Sequence, residues 1–121
     1  MLMSQRQERV AALVRKVVSE LLSTRIKDPR IGFTSVVKVE VTKDLSIAKV
    51  HVSVFGSQED KERTMSGLRS AQGLVRSEVG KALGIRHAPE IQFVLDEGIE
   101  HSIKVSKILN EIKRSEEVEN R

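Results

Sequence analysis

The side chains of this chain that are best suited to binding a ligand are basic, and they occur in two segments. The first segment is Lys27-Asp28-Pro29-Arg30-Ile31-Gly32-Phe33. The second spans residues 66–88, where Glu78 is the only acid and the cations are Arg69, Arg76, Lys81 and Arg86. Guanidinium and ammonium groups bind phosphate oxygens through charge-assisted hydrogen bonds. The two segments predict a cationic surface with an anionic partner, and charges that are merely solvated remain the simpler alternative.

Side chains that could catalyse a reaction or hold a metal form no recognised motif. His51, His87 and His101 fall in three different predicted elements, without the spacing of a metal site. The chain has no cysteine, which excludes thiol chemistry and cysteine-ligated zinc. Asp96 and Glu97 follow a predicted strand as a pair of acids, which is more often solvated than catalytic. We therefore expect a protein that is not an enzyme and that uses no cofactor or metal.

One short stretch superficially resembles the end of a phosphate-binding P-loop, namely Gly80-Lys81-Ala82. The preceding glycine, Gly73, lies too far upstream, and Ala82 stands where Mg²⁺ binding requires Ser or Thr. We therefore reject a nucleotide site and treat Lys81 as a surface cation.

The first element that positions these cations is an amphipathic helix. Apolar residues recur every three or four positions between Val10 and Leu22, which places one stripe on one helix face. Ser4 and Gln7 have the spacing of a capping box, so the helix is predicted to begin there. Its predicted end is near Lys27, because Asp28 precedes a proline and is disfavoured in the helical region.

Two strands follow, and their side chains alternate between apolar and polar. The predicted strands are Phe33–Val41 and Leu45–Phe55, joined by a turn at residues 42–44 as an antiparallel hairpin. The residues predicted to face the core are Val37, Val39 and Val41 on the first strand and Ala48, Val50, Val52 and Val54 on the second.

The second basic segment lies in a predicted pair of helices. Ser57 is a plausible N-cap for the first helix, and Gly84 is a plausible C-cap for the second. A break or kink is predicted at Ala71-Gln72-Gly73, where apolar periodicity is interrupted. A third strand carrying Ile91, Phe93 and Leu95 follows. A final short helix is predicted to carry Ile103, Val105, Ile108, Leu109 and Ile112.

Length and composition bound the possible classes of protein. With 121 residues, we expect a single domain at 1–112 and a polar C-terminal end at 113–121. The net charge is +4, which by itself identifies no partner. No signal peptide or membrane-spanning stretch is recognised, so a cytoplasmic monomer without a membrane partner is expected.

The order helix, strand, strand, helix, helix, strand predicts a two-layer α+β domain, with helices on one face of a three-stranded sheet. A helix pair between two strands, with basic residues at its junction, is the layout of a type II KH RNA-binding domain. The junction nevertheless lacks the usual GxxG loop. The chain has three phenylalanines and no Tyr or Trp, so a base-stacking RRM or OB-fold is not expected.

Several short motifs, in order along residues 6–109, closely resemble the bacterial ribosome-binding factor A family. They are Lys27-Asp28-Pro29-Arg30-Ile31-Gly32-Phe33; Asp44-Leu45-Ser46; Ala48-Lys49-Val50; Ala71-Gln72-Gly73 with Arg76-Ser77-Glu78-Val79-Gly80; and Pro89-Glu90-Ile91 with Phe93 and Asp96. The resemblance implies a KH-like fold in which a kinked helix pair replaces the GxxG loop.

The resemblance also implies a ribosome assembly factor that binds the free 30S subunit and 16S rRNA. Such a factor supports late 16S rRNA maturation and processing, leaves before translation and assists growth in the cold. The RNA-binding residues expected on this basis are Lys27, Arg30, Arg69, Gln72, Gly73, Arg76, Lys81 and Arg86, with Ala71 and Gly73 forming the kink. A basic module that binds an acidic protein is the competing interpretation.

Overall fold

The computed structural model describes residues 2–24 and 26–97, which form three helices and three strands. In chain order the elements are α1 (Gln5–Thr24), β1 (Thr34–Val41), β2 (Ile47–Val54), α2 (Gln58–Ser70), α3 (Gln72–Leu83) and β3 (Glu90–Leu95). This is the predicted element order. The final helix predicted to carry Ile103 to Ile112 lies outside the described residues.

The three strands form one sheet in the order β1-β2-β3. β1 pairs with β2 as an antiparallel hairpin, as predicted, and β3 lies parallel to β2 on the other side. A parallel neighbour cannot be reached by a tight turn, so α2 and α3 serve as the crossover between β2 and β3. Both basic segments therefore lie outside the sheet, one before β1 and the other in the crossover.

The core lies between the helices and one face of this sheet. Ala48, Val50, Val52 and Val54 alternate along β2 with 0–2% exposure, as the sequence predicts. They pack in one cluster with buried residues of all three helices and of β3, among them Val14, Val18, Leu68, Val75, Val79 and Ile91. The result is a two-layer α+β domain, and its helical layer presents the second basic segment to solvent.

The predicted alternation fails at one position in β1. Pairing with β2 shifts by one residue between Val36 and Lys38, which leaves Val37 at a β-bulge. Val37 is 37% exposed instead of facing the core, while Val39 and Val41 are buried as predicted. The bulge is held from α1, because Arg15 donates hydrogen bonds to the carbonyls of Val36 and Val37 at 3.2 and 3.4 Å.

Element boundaries also differ from the sequence prediction. α1 begins with the predicted reciprocal hydrogen bonds between Ser4 and Gln7, at 2.8 and 3.2 Å. It ends at Thr24 instead of Lys27, because the Ile26 amide donates to the Leu21 carbonyl five residues back, at 2.8 Å, and closes the last turn. β2 begins at Ile47 instead of Leu45, because Leu45 adopts a left-handed conformation with φ of 61°.

The caps of the helix pair agree with the sequence. Ser57 and Asp60 form a capping box at the start of α2. α2 ends at Ser70, α3 begins at Gln72, and Ala71 lies between them with φ −89° and ψ −4°. Gly84 ends α3 with φ 66°, a conformation that glycine adopts without the steric cost of a Cβ. The predicted break at Ala71-Gln72-Gly73 is therefore present as a joint between two helices.

Candidate nucleic-acid interface

A surface groove of about 600 Å³ runs along α3 and the loop that follows it. Its lining brings together four of the expected RNA-binding residues, Gly73, Arg76, Lys81 and Arg86. We call these four residues and their surroundings the α3 groove. Three cations from one helix and the adjoining loop thus border one concave surface.

Two glycines and one arginine hold the loop of the α3 groove against the helix. The left-handed Gly84 reverses the chain, so residues 85–89 run back along α3. A Cβ built on Gly80 would lie 3.3 Å from the Cβ of Ala88, so the loop approaches α3 tightly at this point. Nε of Arg76 donates to the Ala88 carbonyl at 3.2 Å, which fixes the base of that guanidinium.

The charges in the α3 groove are only partly compensated. Lys81 Nζ lies 3.4 Å from Glu78 Oε1, and 72% of the lysine side chain is exposed. Nε of Arg76 donates to the neutral carbonyl of Ala88, and this contact does not compensate the positive charge of the arginine. Arg86 is exposed in the loop. Because an exposed ion pair contributes little, Lys81 can exchange Glu78 for a phosphate at low cost.

Gln72 and Gly73, at the start of α3, have different environments. The Oε1 atom of Gln72 accepts the Phe93 amide of β3 at 3.4 Å, so this side chain connects α3 to the sheet. Gly73 is exposed, and an added Cβ would meet nothing within 4 Å. Packing therefore does not require glycine at position 73, and the backbone there is open to close approach by a ligand.

The loop that carries the first basic segment is seated on α2. The Thr64 hydroxyl accepts the Gly32 amide at 3.1 Å and donates to the Arg30 carbonyl at 3.3 Å. Ile31 packs over Gly67, where an added Cβ would lie 2.7 Å from its Cγ1. Thr64 and Gly67, which hold this loop, were not predicted from the sequence. The feature that could have indicated them is a threonine and a glycine three residues apart, beside the apolar Met65 and Leu68.

Arg30 is held by the aspartate two residues before it. Its Nη2 lies 2.6 Å from Asp28 Oδ2, and its Nε and backbone amide also contact that carboxylate, at 2.9–3.1 Å. These hydrogen bonds, chiefly from the guanidinium, lower the pKa of Asp28 to about 2. The remaining terminal nitrogen, Nη1, lies 3.4 Å from the Ser66 hydroxyl.

The two basic segments approach one another along α2. Arg30 reaches Ser66, and Arg69 stands three residues further along the same helix, so both cations border one stripe of its surface. That stripe leads to the joint at Ala71 and from there to Gly73 in the α3 groove. Lys27 is exposed at the start of the seated loop. The fold thus seats the loop of the first basic segment on α2, which belongs in part to the second basic segment, while the Gln72 side chain turns to the sheet.

The two described histidines, His51 and His87, lie in different parts of the fold. His51 Nε2 on β2 lies 2.9 Å from Glu40 Oε1 on β1, whereas His87 borders the α3 groove, and His101 lies outside the described residues. Across residues 2–24 and 26–97, no group of three or more His, Asp or Glu side chains could hold a metal ion. No helix in this part of the chain is long and apolar enough to span a membrane.

Asp28→Asn should strengthen RNA binding by several-fold and make the salt dependence steeper by up to about 0.9 in slope, because it removes the carboxylate that compensates Arg30. The amide oxygen can still accept the Arg30 backbone amide, so the turn is preserved. Binding to a 16S rRNA fragment over a range of salt concentrations measures the effect. The charge-matched control is Glu8→Gln on α1; an equal gain in both variants would contradict a local role for Arg30.

The same ion pair has a defined acid dependence. A carboxyl whose pKa is lowered on folding stabilises the native state above its unfolded pKa, and this contribution is lost as the pH falls towards the folded value of about 2. Asp28→Asn should therefore reduce the loss of stability between pH 4 and pH 2, measured by thermal melting.

Comparison with known proteins gives one consistent family. The sequence model described as "Ribosome-binding factor A" matches residues 6–109. A relative of that name from Desulforamulus reducens is 46% identical over 114 residues, covering 94% of this chain and 95% of the relative. Another, from Dictyoglomus thermophilum, is 48% identical over 116 residues and covers 95% of this chain and 97% of the relative.

Solved structures agree with the sequence comparison. A solution structure of a Thermotoga maritima ribosome binding factor A superposes with a TM-score of 0.70 at 34% identity, covering 83% of this chain and 95% of that one. A homology model of the Thermus thermophilus ribosome binding factor A, fitted into a cryo-EM map of a complex with 30S, gives a TM-score of 0.56 at 19% identity. It covers 78% of this chain and 96% of that one, and this likeness shows the shared KH-like fold.

Proposed function

Because this chain belongs to the ribosome-binding factor A family, we propose that it is a ribosome assembly factor that binds the free 30S subunit through 16S rRNA. The family match covers residues 6–109, which include both basic segments and the α3 groove. Relatives carry the name of a ribosome-binding factor, and the Thermus protein has been placed in a 30S complex. The observation that carries the proposal is the convergence of Arg76, Lys81 and Arg86 beside the open backbone of Gly73.

The proposed mechanism is binding without catalysis. The cations of the α3 groove contact phosphates and release counterions, and Gly73 allows the RNA backbone to approach the helix joint. A factor that binds one rRNA conformation more tightly than others shifts the population towards it. Preference for a correctly folded rRNA segment would in this way support late maturation and processing of 16S rRNA, with the protein leaving before translation.

A role in the cold follows from the same population argument. Misfolded rRNA rearranges more slowly at low temperature, so a factor that stabilises the productive conformation has its largest effect there. We place this activity in the cytoplasm, where free 30S subunits occur, and we propose that the protein acts there as a monomer.

Gradient sedimentation tests the proposed function. The folded protein should comigrate with free 30S subunits and be absent from 70S ribosomes and polysomes. RNase treatment should abolish its binding to isolated rRNA, since the cationic groove then has no phosphate backbone to contact. A folded protein that remains at the top of the gradient would contradict the proposal. An association that persists after RNase and little changes with salt would favour the competing function, in which the basic surface binds an acidic protein.

A further inference from the structure

Two of the three phenylalanines of this chain are exposed to solvent. Phe33 is 80% exposed and Phe55 is 81% exposed, whereas Phe93 is buried in the core at 5%. Aromatic side chains provide large contact areas in protein cores and interfaces. Two of them left in water therefore mark a surface that gains free energy when it is covered.

The exposed phenylalanines are neighbours. The Phe55 amide donates to the Phe33 carbonyl at 3.1 Å, which extends the pairing of β1 and β2 by one position. Residues opposite one another in an antiparallel pair project to the same face, with Cβ atoms about 4.5–5.5 Å apart. Because the neighbouring Val54 faces the helices, Phe55 projects to the opposite face of the sheet. Phe33, its partner just before β1, also borders a cavity with Ser19, Leu22 and Ser23 of α1, so it lies at the exposed edge of the sheet. We call the two phenylalanines the Phe33–Phe55 pair.

The surroundings of the Phe33–Phe55 pair are polar. Ser35 and Ser53 form the next pair along the strands on that face. Two rings form a small apolar island, whereas a stable protein interface buries about 800 Å² on each partner. The size of the island fits one or two nucleobases better than the apolar core of a protein interface.

The charges near the Phe33–Phe55 pair favour a polyanion. Phe33 directly continues the seated loop, which carries Lys27 and Arg30. Asp28 and Arg30 compensate each other at 2.6 Å, so the exposed Lys27 is the loop cation most available to a phosphate. Asp60 contacts Arg63 at 3.2 Å and the amide of Ser57 at 2.9 Å, and Glu59 lies in the first turn of α2, where it interacts favourably with the helix dipole. An RNA strand could thus place a phosphate beside the loop and a base on the rings.

We propose that the Phe33–Phe55 pair is a stacking platform for an unpaired base of single-stranded RNA. This inference rests on the proposed function in that the partner is RNA, but it adds a contact outside the α3 groove, where β1 begins and β2 ends. The low aromatic content argues against an RRM or an OB-fold, and a platform of two rings is compatible with that expectation. Base stacking tolerates any sequence because every base has a π-face, so the platform adds affinity without base selectivity.

Fluorescence anisotropy with a labelled ten-nucleotide oligoadenylate tests the platform, using a second oligomer in which abasic residues replace the central adenosines. The Phe33→Leu/Phe55→Leu variant keeps apolar side chains but removes both rings, so its affinity for oligoadenylate should fall by about five- to 150-fold. Its affinity for the abasic oligomer should equal that of the unmodified protein. Thermal melting should be nearly unchanged, because both side chains are exposed.

A direct reporter is available because the chain lacks tryptophan. Oligoadenylate should quench the fluorescence of Phe55→Trp, and the abasic oligomer should not. Leu2→Trp, at a residue that is 97% exposed near the opposite end of the sheet, is the matched control and should show no quenching.

Equal affinity of the unmodified protein for the two oligomers, or unquenched Phe55→Trp, would overturn the inference. So would a leucine variant that loses 30S association while keeping its affinity for oligoadenylate, since the rings would then bind a ribosomal protein. The first two results concern only the rings, so the proposed function would still hold if the unmodified protein comigrates with 30S subunits. An unmodified protein that does not comigrate with 30S subunits would contradict the proposed function itself.

Discussion

Replacing Arg76 and Lys81 together with alanine is expected to weaken binding to 16S rRNA and to flatten the dependence of log affinity on log salt by up to about 2. Both side chains border the α3 groove, and each phosphate contact contributes about 0.9 to that slope through counterion release. Titration of a 16S rRNA fragment between about 50 and 200 mM salt measures the change, and the loss of affinity should be largest at low salt, where the lost contacts contribute most.

The control for this double variant is an equal loss of charge elsewhere. Arg9→Ala with Lys16→Ala removes two exposed cations from α1, outside the α3 groove, and should leave most of the slope intact. The melting temperature of the Arg76/Lys81 variant should change little, because its lost contacts are one exposed ion pair and one exposed hydrogen bond. An unchanged salt slope in the folded double variant would remove the α3 groove from the RNA contact.

The second large effect is expected from Gly67→Ala. The new Cβ would lie 2.7 Å from Cγ1 of Ile31, a distance that forces this side chain and its loop to move. Overpacking of this kind costs about 1–3 kcal/mol of unfolding free energy. The displaced loop should also lose the hydrogen bond from Gly32 to Thr64 and shift Lys27 and Arg30, so RNA affinity should fall with stability.

Gly73→Ala provides the matched comparison, because it adds the same methyl group in the neighbouring helix. Nothing lies within 4 Å of that Cβ, and the preference of a helix for alanine over glycine, about 0.5–1 kcal/mol, applies at both helical positions and cancels in the comparison. Chemical denaturation should therefore show Gly67→Ala less stable than Gly73→Ala by about 1–3 kcal/mol. Equal stabilities would mean that the seat of the loop is not tightly packed. Reduced RNA affinity in a stable Gly73→Ala protein would show that RNA approaches this backbone.

Local patterns in the sequence were sufficient to predict most elements. The alternation of Ala48, Val50, Val52 and Val54 correctly identifies the buried face of β2, because side chains alternate across a strand whatever packs on it. The capping residues Ser4, Ser57 and Gly84 act within one turn of their own helices, so their effect can be predicted without knowing the rest of the fold. The family motifs likewise identified the KH-like fold, which the comparisons confirm.

Features that depend on contacts between distant residues could not be predicted. The bulge that exposes Val37 is held by Arg15, 22 residues earlier, which the sequence places simply on a basic helix face. The end of α1 differs for a local reason: the hydrogen bond from Ile26 to Leu21 closes the last turn at Thr24, before the residue that precedes Pro29.

The candidate site likewise has features that the sequence predicted and features that only the tertiary structure decides. The sequence by itself identified the cations and the helix joint, since charge and helix-breaking residues are properties of residue type. Tertiary structure alone decided that Gln72 turns to the Phe93 amide, that Thr64 and Gly67 seat the first basic segment, and that Phe33 and Phe55 remain exposed. The physical reason is that burial and hydrogen-bond partners depend on which distant segments meet, and residue spacing within one element carries no information about that.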